Sequence, residues 1–346
     1  MWPEVGDKSM KATQLIKNIF YPFIPRSLRQ RIFWKLQILI YVLKNKNLRL
    51  RLPEEENRIN NFLNYRQNFN NEQWQEIQNK LSINLNQASR DEIQRFLART
   101  KYLSKHNVIE QNKLFTIEEK IEQKICSREL MNDANKFKKY QFSTLSSECF
   151  YGYSGLRWLP KKQQNKIQSG ICIDGGAGEG DTAIMLIEKL HAQSVHAFEI
   201  EKNNYQKLLA TARISQSDKI KPIFIGLSDY SGRSAIIKAG GMSKLSENST
   251  GLETEVKKLD DLYGPNQKIS LIKLDIEGAE QSALKGAQNI IQRDHPLLAI
   301  SIYHKIEDLF QIKPWLESIA PRYKFIIKKA SPFLLVGETM LIAYYE

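Results

Sequence analysis

Residues 171–182 read Ile-Cys-Ile-Asp-Gly-Gly-Ala-Gly-Glu-Gly-Asp-Thr, and this stretch restricts the fold more than any other in the chain. Its three leading apolar residues end a strand of the buried kind that parallel sheets use, and Asp181 before the run Ala183 to Ile187 starts a helix. Between them glycines stand at 176, 178 and 180. That spacing excludes two nucleotide-binding loops. Counted from Gly176, the dinucleotide fingerprint Gly-x-Gly-x-x-Gly needs its third glycine where Asp181 stands. A Walker loop needs a Gly-Lys-Ser/Thr ending, which the stretch lacks. What remains is an acid at a strand tip, Asp174, followed by glycines that let a ligand approach the backbone closely.

This combination resembles the first motif of S-adenosylmethionine-dependent methyltransferases of the Rossmann-like class. Such a donor carries no phosphate. It needs room for a methionine carboxylate and an acid near its ammonium group, and Asp174 is expected there, directly or through water. Gly176, Ala177, Gly178, Gly180 and Asp181 complete the expected loop. Asp174 as a simple turn cap is the competing reading.

With 346 residues, two domains are expected. The net charge of +13 is uneven: residues 1–52 hold eleven Lys/Arg against two acids, so +9 lies in the first 52 residues and +4 in the rest. Within this basic arm Leu28, Ile32, Leu36, Leu39 and Leu43 share a helical face, and the opposite side is also largely apolar. Two readings compete for residues 9–52: docking onto the body or a second copy, and lying on an anionic membrane surface. Nucleic acid is the weaker third. The longest apolar run, Leu36 to Leu43, falls short of the roughly 20 residues of a spanning helix. Three cysteines without framework spacing fit a reduced chain. The expectation is a cytoplasmic protein without secretory signal, peripheral at the inner membrane face if the arm binds lipid.

Pro53 opens a polar, helix-rich stretch, with helix starts at Asn71 and at two capping boxes, Ser89 to Glu92 and Thr116 to Glu119. The expected division is a basic arm at 1–52, a helical domain at 53–146 and a catalytic domain at 147–346. From residue 171 strands and helices alternate: helix 181–190, strand 194–199, helix 202–213, strands 221–226 and 270–275, helix 279–293, strand 297–303, helix 305–318, then two closing strands near 322–329 and 334–345. Repeated strand-helix units predict a mostly parallel sheet covered by helices, with the closing pair supplying one antiparallel edge strand.

Four strand ends carry candidate chemistry. Glu199 closes a strand 25 residues after Asp174, where a carboxylate accepts from both hydroxyls of a ribose. Ile200 adjoins it. After the third strand Leu227 offers an apolar wall to a base, with Ser228 and Asp229 as partners for ring nitrogens, although Asp229 before Tyr-Ser-Gly is equally an ordinary turn. Asp275 ends the strand beyond the expected switch point, and Glu277 and Glu280 follow within a turn. Neither the Asp/Asn-Pro-Pro-aromatic signature of amine-methylating nucleic-acid enzymes nor a Pro-Cys nucleophile stands here. Acids beside a methyl donor suit deprotonating, or bridging through a metal, a hydroxyl acceptor. Lys273 shares the face of Asp275 and is read as a partner for it or for another carboxylate. Tyr303 and His304 end the next strand, His304 as general base or as the third ligand, with Asp275 and Glu277, of a divalent ion such as Mg²⁺ or Mn²⁺.

Together Ile173–Thr182, Ala197–Glu199, Gly226–Asp229, Val256–Leu262, Leu271–Glu280, Leu284–Ala287 and Pro296–His304 resemble the FkbM-type methyltransferase family. The resemblance covers about residues 145–346. It implies a Rossmann-like fold of the class I methyltransferase type, a seven-stranded mostly parallel sheet, S-adenosylmethionine as donor, and O-methylation of sugars or natural products. Ile200 stands where the family usually has proline. The expected acceptor is therefore a hydroxyl of a small molecule or glycan, with Asp275, His304 and Lys273 as the catalytic set. The alternatives are an RNA methyltransferase using the arm, and a non-catalytic membrane- or scaffold-bound module.

Overall fold

The structure, a computed structural model, describes residues 48–50, 53–106, 108–239, 242–246 and 253–346. The amphipathic helix expected within residues 9–47 lies outside the described residues. The described residues fall into two compact units, one holding 48–50, 105–106 and 108–115, the other the described residues of 53–104 and 116–346. In the first, Leu48–Leu50 pairs antiparallel with Val108–Glu110, and a short helix covers Gln111–Leu114.

The second unit opens with four helices, α1 (Pro53–Gln67), α2 (Asn71–Ser82), α3 (Gln87–Lys105) and α4 (Ile117–Phe137). Helix α2 begins one residue later than its cap, Asn70, whose carboxamide oxygen accepts from the Gln73 N–H at 2.9 Å while Gln73 reaches back. The expected box at Thr116 and Glu119 forms. The one at Ser89 and Glu92 does not. Asn86 caps α3 instead, accepting from the Ser89 N–H at 2.8 Å, and the Ser89 hydroxyl accepts from the Ile327 N–H at 3.0 Å on a sheet strand. A hydroxyl read as a local cap is thus used to fasten helix to sheet. Aromatic rings anchor the first two helices: Tyr65 stacks on Phe310 with centroids 5.7 Å apart, and Trp74 meets the same ring edge-on at 5.1 Å.

After the short helix α5 (Ser147–Phe150), the sheet elements follow as β1 (Ile171–Gly175), α6 (Asp181–Leu190), β2 (Ser194–Phe198), α7 (Lys202–Ser215) and β3 (Ile220–Ile223). Next come β4 (Gly226–Leu227), β5 (Gly232–Ala239), β6 (Met242–Ser246) and β7 (Glu253–Lys257). The chain ends with β8 (Ile269–Leu274), α8 (Glu280–Lys285), α9 (Gln288–Asp294), β9 (Leu297–Ser301), α10 (Ile306–Ile319), β10 (Tyr323–Lys329) and β11 (Thr339–Tyr345). The main sheet has seven strands in the order β10-β11-β9-β8-β1-β2-β3. Every residue of β8 and β9 is buried, Ser270, Lys273 and Ser301 included, as expected of strands covered on both faces. The closing hairpin occupies the edge as expected, but its antiparallel member β11 lies one place in, between β9 and β10, so the rim strand runs with the rest of the sheet.

Two segments depart from the sequence reading. The strand expected over 221–226 ends at Ile223, and β4 leaves the main sheet to pair with β7 in a second, four-stranded sheet ordered β4-β7-β5-β6. The helix expected over 279–293 breaks into α8 and α9, because the Asp260 carboxylate accepts from the Asn289 and Ile290 N–H groups, both at 3.0 Å, and starts a new helix there.

Candidate active site

Strands β1, β2, β8 and β9 run in parallel, so their carboxyl ends share one edge, and the strand order reverses between β1 and β8. Ligands of open α/β sheets bind at such a switch point. A cleft of about 740 Å³, its open mouth included, lies there, lined among others by Gly176, Gly178, Glu199, Ile200, Leu227, Asp275 and Glu277.

The glycine loop is shaped by what each position faces. Gly176 has φ +73°, and a Cβ built there would lie 1.9 Å from the Asp275 carbonyl oxygen, so the loop is wedged against β8. Gly178 has φ +53° with nothing within 4 Å of its Cβ position, because it opens onto the cleft. The N–H groups of Gly176 and Ala177 both donate to the Phe198 carbonyl, at 3.0 and 2.9 Å, which ties the loop to the end of β2. Ala177 is buried and outside the cleft lining. Glu199 continues the tie: one carboxylate oxygen accepts from Gly178 N–H at 2.8 Å and the other from Glu201 N–H at 2.6 Å. The Ile200 backbone N–H also faces this carboxylate, which offers about four acceptor positions, so its capacity is not exhausted by the backbone. Burial pushes the Glu199 pKa up against these backbone donors.

Asp174 is elsewhere. It is fully buried, absent from the cleft lining, and paired with Lys273 Nζ at 3.1 Å. The cause is register: Asp174 on β1 stands directly beside Lys273 on β8, so both side chains emerge on one face. Of the two pairings expected for Lys273, with Asp275 or with another carboxylate, the structure forms the second. Lys273 Nζ also donates to the Gly176 carbonyl at 3.1 Å and, at 3.4 Å, to that of Gly175. Burial alone would favour the neutral amine, but Asp174, with Asp275 and Glu148 behind it, holds Lys273 charged. Both residues are outside the cleft lining, and Lys273 ties the loop carbonyls to the pair. Asp181 is likewise outside the lining; its carboxylate accepts from the Thr182 N–H at 2.9 Å, and burial raises its pKa to about 6. Gly180 packs on Leu208. Ser228 and Asp229 also face away from the lining: Asp229 accepts from the Ser282 hydroxyl at 2.7 Å and closes a turn against α8.

Opposite Glu199 the expected acids and histidine do converge. His304 Nδ1 is 2.8 Å from a Glu280 oxygen, and Nε2 is 3.5 Å from both Asp275 and Glu277. Burial would lower the histidine pKa, yet Glu280, Asp275 and Glu277 outweigh it and bring it up to about 9, so the ring is an imidazolium at neutral pH. Asp275 is held anionic, its pKa lowered because Lys273 and His304 outweigh its burial, and the Tyr303 hydroxyl donates to it at 3.3 Å. Glu277 takes φ +57°, a conformation rare outside glycine.

Three further groups join this end of the site without having been singled out in the sequence. Glu148 from α5 and Glu338 ahead of β11 bring carboxylate oxygens within 4.8 Å of Asp275 and of each other. Burial among these acids raises Glu338 to about 7 and Glu148 well above the ordinary range. Arg58 of α1 lies over the Tyr303 ring at 4.8 Å, so the helical segment reaches the acceptor side. One signal for Glu338 was available: an antiparallel strand begins where the parallel strands end, so the residue before β11 lands on the ligand edge. Asn204, in the first turn of α7, also lines the cleft.

Residues 174–326, from the tip of β1 into β10, match the family model for the methyltransferase FkbM domain. Over that span the chain is similar to the FkbM methyltransferase domain. Among solved structures it is similar to the methyltransferase FkbM from Methylobacillus flagellatus KT, with 22% identity, 62% of this chain and 59% of that one covered, and a TM-score of 0.42. It therefore spans about three-fifths of that relative's length. An rRNA methylase from Streptococcus thermophilus is similar at 12% identity, over 59% of this chain and 99% of that one, with a TM-score of 0.38. A Streptococcus mutans protein described as a methyltransferase and solved in complex with SAH is similar at 12% identity, over 54% of this chain and 97% of that one, with a TM-score of 0.35. At such TM-scores these likenesses decide nothing about the acceptor. No curated protein matches the chain in sequence.

Proposed function

We propose that the FkbM-like domain uses S-adenosylmethionine to methylate a hydroxyl of a sugar, glycan or related natural product. The observation that carries this reading is Glu199, held by the Gly178 and Glu201 N–H groups in the lining of the cleft beside the open backbone of Gly178. Glu199 would take the two ribose hydroxyls, the Gly176–Gly178 backbone would face the methionine end, and Leu227 and Ile200 would flank the base. S-adenosylmethionine supplies an electrophilic methyl group on a sulfonium centre. The chain's own task is to bring a hydroxyl oxygen into line with that methyl group and to take the hydroxyl proton, so positioning is the larger part of the catalysis.

Asp275 is the proton acceptor in this account, because it lines the cleft and is anionic. His304 is the imidazolium that neutralises the acids around it and cannot accept a further proton. Asp275, Glu280 and His304 bring ligand atoms within 4.8 Å of one another and would be the residues to hold a divalent ion, but no step is routed through one. The test is transfer of labelled methyl from S-adenosylmethionine to oligosaccharide hydroxyls, with RNA as a parallel acceptor and with chelator present. Label in glycan that is indifferent to chelator, and that falls about 10²–10⁴-fold in Asp275→Asn, is expected. Label in RNA alone would overturn the acceptor reading, and loss of activity with chelator would restore the metal.

A further inference from the structure

Helix α4 turns its charge inside out. Its acids face the body: Glu119 pairs with Arg99 and Lys329, Glu122 with Lys328, Glu129 with Arg157 and Asp133 with Lys189. Its outer face is apolar and basic. Ile117, Ile121 and Ile125 recur every four residues and are 72%, 53% and 43% exposed, and Met131, on the same side, is 76% exposed. Lys120, Lys124 and Arg128 lie among them, all exposed, while Glu118 is the exposed acid at the margin. Single surface aliphatics need no explanation, but a ridge of three isoleucines does. β-branched residues are also poorer helix formers than the alternatives an exposed position allows, so intrinsic propensity does not account for them.

We propose that the outer face of α4 docks on an anionic lipid bilayer, with the isoleucine ridge entering the boundary between headgroups and acyl chains and Lys120, Lys124 and Arg128 meeting lipid phosphates. An apolar stripe bordered by cations, on a helix whose acids all but one turn inward, is the charge pattern that such a surface complements. Self-pairing of the ridge about a two-fold axis would set the same three cations against their own copies. Nucleic acid would give the isoleucines nothing to enter. This inference is independent of the methyl acceptor and of the basic arm.

The test is flotation of the full chain with vesicles of phosphatidylcholine alone and of equal parts phosphatidylcholine and phosphatidylglycerol, with Ile121→Asp and Lys124→Gln as variants. The wild-type chain is expected to float with the anionic vesicles only. Lys124→Gln should weaken that binding about fivefold, and Ile121→Asp about tenfold or more, while both variants keep the wild-type thermal transition because the altered side chains face solvent. Three results would overturn the proposal: no binding to anionic vesicles, binding unchanged in both variants, or a solution dimer that Ile121→Asp dissociates.

Discussion

Replacing Lys273 by methionine tests whether the glycine loop rests on a buried ion pair. The substitution keeps the length of the side chain and removes its charge. Asp174, with no exposed surface, is then left as a buried anion whose cationic partner, 3.1 Å away, is gone, and the carbonyls of Gly175 and Gly176 lose their donor. Removing one member of a buried pair costs about 3–5 kcal/mol, because the other stays desolvated and unpaired. At roughly 2 °C per kcal/mol for a unit of this size, the thermal midpoint should fall by about 6–10 °C. The double change Asp174→Leu with Lys273→Met should recover most of that loss, since two apolar groups of similar volume often do as well as a buried pair. Differential scanning fluorimetry of the four proteins closes the cycle. A single-variant loss below about 1 kcal/mol, or a double variant as unstable as the sum of the singles, would refute the pairing argument.

Two further outcomes follow from the site. Gly176→Ala should unfold or strongly destabilise the domain, because its methyl group would meet the Asp275 carbonyl oxygen. Gly178→Ala, facing open space at φ +53°, should cost only about 1 kcal/mol of stability yet weaken donor binding, and calorimetry separates the two. His304 should titrate near pH 9 in a proton NMR titration of its ring, and Glu280→Gln should bring it down. Its folded pKa lies above its ordinary 6.5, so the stability it contributes is complete below about pH 6.5 and is lost as pH rises through 9.

What the sequence disclosed was local. The glycine loop, the strand before it and Glu199 were legible because their chemistry depends on spacing along the chain, and the helix over 181–190 appears with those bounds. Contacts between distant segments were not legible. Asp174, read as an acid near the ligand directly or through water, is set beside Lys273 by the β1–β8 register, and three carboxylates close around His304, read as a base or a metal ligand. Glu148 and Glu338 stand 190 residues apart and meet only because α5 and the start of β11 end at one edge of the sheet. The second sheet was missed for a related reason: β4 has two residues, and its pairing with β7 is made across an intervening hairpin.

The most direct test of the central claim is calorimetric titration of the full chain with S-adenosylhomocysteine, beside Glu199→Ala. The account predicts micromolar binding, about −8 kcal/mol, that the variant loses while keeping its fold. Absence of binding to the folded wild-type chain, or equal binding by the variant, would contradict the placement of the methyl donor against Glu199.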